Sequence, residues 1–267
     1  MSIEFQHDDT GIALLRVNRP QQRNALNWAT QEAFAAAVTA VGLTGVSTHT
    51  PTIRCLIITG TGSQAFVSGG DLKELSQHPD PQTGQRLYHT MNQALSQLTQ
   101  LSIPVIAAIN GDAFGGGCEI LTACDIRIAT SQARFSFAQI RNGLTTGWGG
   151  TGRLVRLIGH SRAMELLLTG RIITAHEAQQ IGLVHRLVDE GEDLMTAVHT
   201  TAQDLINLPR QALANLKSLV YTASSSDLVT TNQHEAQFFA QLYAQPDHRE
   251  ALQAFLEKRP PIFNQQS

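Results

Sequence analysis

Strand-like and helix-like segments alternate along the first two thirds of this 267-residue chain, and this alternation restricts its fold more than any other feature. Short runs rich in β-branched residues are separated by longer stretches with helical spacing. The predicted strands are Ile12–Val17, Ile53–Thr59, Pro104–Asn110 and Asp125–Thr130, with helices between them, for example over Leu26–Val41 and Gln85–Leu101. This order predicts an α/β fold in which parallel strands are covered by helices.

The last third of the chain is predicted to be mostly helical. Its predicted elements are a last short strand or extended link at Ile181–Val188 and helices at Met195–Leu208, Gln211–Tyr221 and Asn232–Ala244. The sequences TAHE (174–177) and DHRE (247–250) each fit a capping box, which marks the start of a helix. We therefore expect an α/β core over residues 1–200 and a helical C-terminal region over residues 201–267.

The composition argues against several classes of protein. A net charge of −3 and only three lysines disfavour a nucleic-acid-binding surface. No apolar run approaches the roughly 18 residues that span a membrane, and the start of the chain does not resemble a signal peptide. Cys55, Cys118 and Cys124 lack C-x-x-C spacing and suit reduced thiols, so we expect a cytoplasmic protein. The ten histidines are dispersed and predict no metal site.

Two glycine-rich segments contain the candidate functional residues. AFVSGGDLKEL (65–75) and GDAFGGGCEILTACD (111–125) each follow a predicted strand and open a predicted helix. In a purely structural interpretation, Asp71 and Glu119 only stabilise the positive ends of two helices. The two segments can also each supply a free backbone N–H group, and two such groups that converge form an oxyanion hole. Glycine would let a substrate oxygen approach the backbone closely.

A third glycine-rich segment, GWGGTG (147–152), matches the G-x-G-x-x-G pattern of dinucleotide-binding sites. The pattern requires a preceding strand and an acidic residue about 20 positions further on, at the end of a second strand. Here the acidic residue, Glu165, lies in a predicted helix. We therefore interpret the segment as a tight turn into a helix, and we predict no nicotinamide cofactor.

These motifs resemble those of the enoyl-CoA hydratase/isomerase family, the crotonase superfamily. The resemblance extends over about residues 10 to 260 and rests on NRPQQRNAL, the three glycine-rich segments, GRIITAHEAQQIGLVHRLV and FLEKRPPIF. It implies a crotonase-like spiral of ββα units and an acyl-CoA thioester substrate, with no cofactor because CoA is part of that substrate. It also implies that the C-terminal helices assemble homotrimers, often paired into hexamers.

The resemblance assigns roles to individual residues. It implies that Gly70 and Gly116 donate the N–H groups of the oxyanion hole and that Glu119 is the catalytic glutamate. The substrate-binding residues that it implies are Arg23 and Ala25 near the CoA adenine and phosphates, Asp71, Leu72 and Lys73 beside the pantetheine, and Ser68 beside the hole.

One position departs from the family pattern. The second catalytic glutamate, expected twenty residues after Glu119, is Gln139. Glutamine exchanges no proton in this role, although it can hydrogen-bond a water molecule, whereas efficient hydration of an enoyl thioester uses two carboxylates. The leading hypothesis is a hydratase-like lyase in which Gln139 orients the water.

Other reactions and classes remain open at this point. A malonyl-type acyl-CoA decarboxylase needs only one carboxylate and the oxyanion hole, which can carry much of the catalysis. An enoyl-CoA isomerase is weakened by the loss of the second glutamate. A non-catalytic CoA- or RNA-binding relative, and a serine hydrolase that uses Ser68, are the hypotheses from other classes. No G-x-S-x-G motif surrounds Ser68.

Overall fold

The computed structural model describes residues 1–43, 52–77, 79–189 and 191–264. Its strands are β1 (Ile3–His7), β2 (Ile12–Val17), β3 (Cys55–Gly60), β4 (Ala65–Val67), β5 (Val105–Ile109), β6 (Asp112–Phe114), β7 (Ile126–Thr130), β8 (Arg134–Ser136), β9 (Ile173–Thr174) and β10 (Arg186–Val188). Its α-helices are α1 (Trp28–Gly42), α2 (Leu72–Leu75), α3 (Pro81–Gln100), α4 (Gly116–Leu121), α5 (Gly150–Ile158), α6 (His160–Thr169), α7 (Ala175–Gln180), α8 (Leu194–Ile206), α9 (Arg210–Ala223), α10 (Leu228–Tyr243) and α11 (Pro246–Glu257).

A six-stranded sheet with the order β1-β2-β3-β5-β7-β10 forms the centre of the fold. Its strands pair in parallel, except for the antiparallel pair β1–β2. Successive residues of a strand point to opposite faces, so Leu56 and Ile58 pack with α1 and α3 on one face. Cys55 and Ile57 pack with α8 on the other face. Because both faces are covered, β3 and β5 are buried along their whole length.

A second, four-stranded sheet with the order β4-β6-β8-β9 determines where the glycine-rich segments lie. Its strands β4, β6 and β8 pair in parallel, and β9 is antiparallel to β8. Each of these three short strands follows a long strand of the central sheet and leads to helical structure. This repetition is the crotonase-like spiral of ββα units that the resemblance implies. It brings the carboxyl ends of β4, β6 and β8, and the loops after them, side by side.

Most of the elements predicted from the sequence are present, within a few residues. The four predicted strands correspond to β2, β3, β5 and β7, and Ile181–Val188 contains the short strand β10. The helix start predicted at Thr174 is confirmed, because α7 begins at the next residue. The side-chain hydrogen bond of the capping box is also present, since the Thr174 hydroxyl accepts a hydrogen bond from the N–H group of Glu177 at 3.2 Å.

The capping box predicted at Asp247 is wrong. Helix α11 begins at Pro246, whose fixed φ suits the first helical position, so Asp247 lies inside the first turn. The Asp247 carboxylate instead accepts the backbone N–H of Asn264 at 2.8 Å.

Residue 200, the expected boundary between core and tail, lies within α8. Helix α8 packs on the central sheet through Val198, Ala202 and Ile206, which are almost completely buried. The division into residues 1–200 and 201–267, and the role of the tail in assembly, stay predictions. Within the described residues, no helix is long and apolar enough to cross a membrane.

Candidate active site

The loops that follow β4 and β6 lie in direct backbone contact. A Cβ atom on Gly69 would lie 3.2 Å from the backbone nitrogen of Gly116, and one on Gly117 would overlap the carbonyl group of Val67. Gly69 also has a φ of +98°, which side-chain-bearing residues rarely adopt. Glycine at these positions therefore allows the two loops to come together, with Gly70 on one and Gly116 on the other.

The backbone N–H groups of Gly70 and Gly116 donate no hydrogen bond to any of the described residues. Gly70 forms a parallel bridge with Leu26, but the bonds of this bridge run from Leu26 N to Gly69 O and from Asp71 N to Leu26 O. The N–H group of Gly70 therefore points away from Leu26. Gly116 is the first residue of α4, where the N–H group has no partner within the helix. Both groups can receive a substrate oxygen.

Glu119 lies in the first turn of α4 and is 1% exposed. Its Oε1 accepts hydrogen bonds from the N–H of Gly147 (3.0 Å) and from Nε2 of Gln139 (2.8 Å). Its Oε2 accepts from the N–H groups of Trp148 (2.8 Å) and Gly150 (2.7 Å). Burial raises the pKa of Glu119, and the four donors act in the opposite direction because they favour the charged form.

The GWGGTG segment therefore does more than turn the chain. Helix α5 begins at Gly150, so the Glu119 carboxylate lies at the positive end of this helix. The prediction for this segment, a tight turn into a helix, did not include Gly147, Trp148 or Gly150 as partners of Glu119. A signal was present, because a glycine-rich helix start leaves N–H groups free for an anion.

Gln139 is the second side chain that contacts the Glu119 carboxylate. It lies in a short 3₁₀ turn after β8 and is half-buried. Its Nε2 donates to Glu119, whereas its Oε1 is buried and accepts no hydrogen bond from the described residues. The structure thus brings together four predicted catalytic residues: Glu119 and Gln139 in contact, with Gly70 and Gly116 on the adjoining loops.

Half of the predicted substrate-binding residues line one cavity. This surface cavity of about 480 Å³ includes Arg23, Asp71 and Lys73 in its wall. The other three do not line it. Ala25 is buried, Leu72 is exposed, and the Ser68 hydroxyl lies 3.5 Å from the carbonyl oxygen of Gln22.

Two of these residues have structural partners that the sequence did not predict. The Arg23 guanidinium pairs with the buried Asp112 at 2.6 Å, and Asp112 also pairs with Arg134 at 2.6 Å. Asp71 pairs with Arg19 at 3.0 Å, and it begins α2 without capping that helix through its side chain. Any contact of Arg23 or Asp71 with a substrate would therefore add to these ion pairs.

The three cysteines are buried and form no disulfide. Burial raises the pKa of the Cys55 and Cys124 thiols to about 12, so neither is a ready nucleophile. Within the described ranges, no group of three or more His, Cys, Asp or Glu side chains is arranged to hold a metal ion.

Comparison with known proteins shows similarity in sequence and fold over nearly the whole chain. The sequence profile of the family described as enoyl-CoA hydratase/isomerase matches residues 7–266. The chain is 37% identical over 253 residues to a crotonyl-CoA hydratase of Syntrophomonas wolfei, with 94% of each chain covered. It is 36% identical to a short-chain-enoyl-CoA hydratase of Clostridium acetobutylicum, with 93% of this chain and 92% of the relative covered. The crystal structure of an enoyl-CoA hydratase from Bacillus anthracis superposes with a TM-score of 0.91 at 33% identity, covering 100% of both chains.

Fold, site and comparisons together define the class of protein: the chain belongs to the enoyl-CoA hydratase/isomerase family of the crotonase superfamily. Within that family, the matched relatives named above are hydratases, and the function that the matches support for this chain is hydratase-like, that of a lyase.

Proposed function

We propose that this chain catalyses the reversible addition of water to a 2-enoyl-CoA thioester. The observation that carries the proposal is the pair of N–H groups, without a hydrogen-bond partner among the described residues, on adjoining glycine loops, with a buried carboxylate in the helix that begins at Gly116. In this reaction negative charge develops on the thioester oxygen, which preorganised N–H donors stabilise strongly. Gly70 and Gly116 supply these donors, and Glu119 moves the proton.

The proposed reaction needs one carboxylate. Water adds its oxygen to the β-carbon and gives one proton to Glu119, while the electrons of the double bond move onto the thioester oxygen as an enolate. Glu119 then returns the proton to the α-carbon, which restores the thioester carbonyl. The atoms of one water molecule are consumed, and Glu119 ends in its starting state.

Gln139 is proposed to control access to Glu119 and to hold the water. Each oxygen of the Glu119 carboxylate already accepts hydrogen bonds from two N–H groups. These four bonds occupy about all of the acceptor positions that a carboxylate has. Three of the donors belong to the backbone, whereas the Gln139 side chain can rotate. When its amide turns away, Oε1 of Glu119 becomes free to take one proton from a water molecule. Oε1 of Gln139, which has no partner among the described residues, can accept a hydrogen bond from the other O–H group of the same water.

The cavity beside the site is proposed to bind the CoA portion. Arg23 supplies positive charge for phosphate groups, and Asp71 and Lys73 in the same wall would lie beside the pantetheine. Ala25, Ser68 and Leu72 are proposed to contact the substrate outside this cavity. We further propose that the enzyme works in the cytoplasm without a cofactor, as a homotrimer or a dimer of trimers, and binds neither nucleic acid nor membrane.

The proposal is tested with crotonyl-CoA and methylmalonyl-CoA in parallel, by following loss of the conjugated thioester and release of CO₂. We expect hydration of crotonyl-CoA without CO₂ release from methylmalonyl-CoA. Glu119→Gln should lower kcat by about 10²-fold or more, because positioned acids and bases contribute about 10²–10⁴-fold. If the wild-type protein releases CO₂ from methylmalonyl-CoA and does not hydrate crotonyl-CoA, it is a decarboxylase and the proposed function is wrong.

The pH dependence tests the single-carboxylate mechanism. Because Glu119 must begin ionised and its pKa is raised by burial, kcat/KM should fall as the pH drops through that pKa, with no second loss near neutral pH. Gln139→Glu would place a second carboxyl group beside Glu119, and repulsion would raise one pKa into the range of a useful acid. We expect a bell-shaped profile and hydration faster by about 10²-fold.

Gln132→Glu is the control, because Gln132 is exposed on the turn before β8 and the variant adds the same charge at the surface. An unchanged rate and profile in folded Gln139→Glu protein would show that residue 139 does not share the water with Glu119.

A further inference from the structure

Arg153 is a half-buried cation in α5 that the proposed reaction does not use. One guanidinium nitrogen donates to the carbonyl oxygen of Trp148 at 2.7 Å. The Nε–H group donates to the Thr122 hydroxyl at 3.2 Å, and this hydroxyl in turn donates to the carbonyl oxygen of Glu119 at 2.7 Å. Arg153 therefore reaches both the helix that contains Glu119 and the loop that binds its carboxylate.

These bonds close a ring around the catalytic glutamate. The N–H group of Trp148 donates to the Glu119 carboxylate, while the carbonyl group of the same residue accepts from Arg153. The ring returns through Thr122 to the Glu119 backbone. Because a guanidinium group is planar and rigid, it fixes the two acceptors relative to each other. The direction of the Trp148 N–H group, and of Gly150 after it, depends on this arrangement.

Arg153 also lies close enough to Glu119 to be affected by the charge of its carboxylate. Burial lowers the pKa of Arg153, and the nearby Glu119 carboxylate acts in the opposite direction. The other titratable groups that act on Arg153 are Tyr88 from α3, Tyr221 from α9 and Cys124 after α4. Burial raises the pKa of the Cys124 thiol to about 12, so this thiol is protonated at neutral pH. Glu119 is the one carboxylic acid among the described groups that act on Arg153.

We propose that Arg153 is a positioning residue for catalysis, which holds the Gly147–Gly150 donor loop against Glu119 and keeps the Glu119 carboxylate ionised. This inference rests on the proposed role of Glu119 as the proton carrier. Arg153 donates no hydrogen bond to the described residues that line the proposed CoA cavity, so its effect should fall on turnover and not on substrate binding.

The test compares Arg153→Met, Arg153→Lys and, as a matched control, Arg156→Met. Arg156 is exposed one turn further along α5 and donates to the carbonyl oxygen of Ser224. In Arg153→Met we expect kcat to fall by about 10–100-fold, with KM within about threefold of wild type, since small misplacements of catalytic groups cost up to about 10²-fold. The acid limb of the kcat/KM profile should move to higher pH, because the carboxylate loses a neighbouring cation.

Arg153→Lys keeps the charge but replaces the rigid fork by a flexible ammonium group. The acid limb should then stay near its wild-type position, while kcat falls to an intermediate value. Arg156→Met should change neither quantity. A fall in kcat with an unmoved acid limb in Arg153→Met would mean that Arg153 only supports the fold. An increase in KM with unchanged kcat would mean that it binds substrate. Either result would overturn the proposal.

A second readout does not depend on activity. Infrared difference spectra of ¹³C-glutamate-labelled protein, with Glu119→Gln subtracted, report the titration of Glu119 directly. The apparent pKa of Glu119 should be higher in Arg153→Met than in wild type and close to wild type in Arg153→Lys. If wild-type protein does not hydrate crotonyl-CoA, the proposed function fails, but this titration still decides whether Arg153 keeps Glu119 ionised. If Arg153→Met does not fold, Arg153→Lys tests the positioning role instead. The proposal then requires that kcat of Arg153→Lys falls while its KM stays unchanged.

Discussion

At the scale of single residues, the two proposed oxyanion donors differ in the space around them. A Cβ atom on Gly116 would overlap the indole ring of Trp148, so almost any substitution there disturbs packing. At Gly70 the nearest atom to an added Cβ is Cδ1 of Leu75 at 2.7 Å, the end of a flexible side chain that can rotate. Gly70 is therefore the position at which the N–H group can be removed separately from the packing.

We predict that Gly70→Pro lowers kcat for hydration by about 10²–10³-fold, the usual loss for one oxyanion donor, because proline has no N–H group. Gly70→Ala keeps the N–H group and is the matched control. Its kcat should stay within about tenfold of wild type once Leu75 has moved. Steady-state kinetics with crotonyl-CoA and a thermal melt of each variant make the measurement. Equal rates in Gly70→Pro and Gly70→Ala would remove Gly70 from the hole.

At the scale of elements, a partly buried ion pair attaches helix α9 to the central sheet. Lys217 donates to the Asp125 carboxylate at 2.7 Å and to the carbonyl oxygen of Ile103 at 2.9 Å. The N–H group of Val105, at the start of β5, donates to the same carboxylate oxygen at 2.8 Å. Burial raises the pKa of Asp125, and the charge of Lys217 opposes this. The carboxylate therefore depends on its cation to remain ionised in this place.

We predict that Lys217→Met lowers the free energy of unfolding by about 1–3 kcal/mol at pH 7, less than the loss for a fully buried pair. In the variant, the pKa of Asp125 is higher in the folded state than in the unfolded state. The folded state therefore binds a proton first, and the variant regains stability as the pH falls through this folded-state pKa. The difference from wild type should therefore shrink between pH 7 and 5. Urea unfolding at both pH values measures it, with Lys258→Met at an exposed position as control. A difference that grows on acidification would contradict this assignment.

At the scale of the whole molecule, the C-terminal helices α9–α11 expose many large apolar side chains. The following are more than half exposed: Leu216, Val220, Leu228, Val229, Phe239, Tyr243, Leu252, Phe255 and Leu256. Exposed apolar surface of this kind marks association sites in soluble proteins. Within the described residues, α8 is the last helix to pack fully on the central sheet. The proposed assembly of several copies through these helices would cover their apolar faces.

We predict that Phe255→Asp combined with Leu256→Asp reduces the size of the assembly, because burying two charges at a contact is strongly unfavourable. Gln253→Asp adds a charge to the same helix without removing an apolar side chain and should keep the wild-type size. Light scattering at several concentrations measures the mass, and circular dichroism checks the fold. Monomeric wild-type protein, or an unchanged mass in the double variant, would contradict assembly through this region.

Much of the fold could be predicted because its signals are local. The strands around Ile57 and Ala107 follow from short apolar runs, and the helix start at Thr174 follows from one side chain and an N–H group three residues away. The start of α11 was misplaced because a capping pattern at Asp247 competed with a proline one residue earlier. In this case the fixed φ of proline decided where the helix begins.

The sequence by itself determined the order of the elements, the glycines at the ends of β4 and β6, and the resemblance that points to Glu119. These depend on residues that are close together in the chain. Only the tertiary structure decided how Glu119 is held, because its donors lie 20 to 31 residues away, in a 3₁₀ turn and at the start of α5. The same holds for Arg23, whose partner Asp112 is 89 residues away. Such partners are selected by the path of the backbone between them, which no short pattern of residues records.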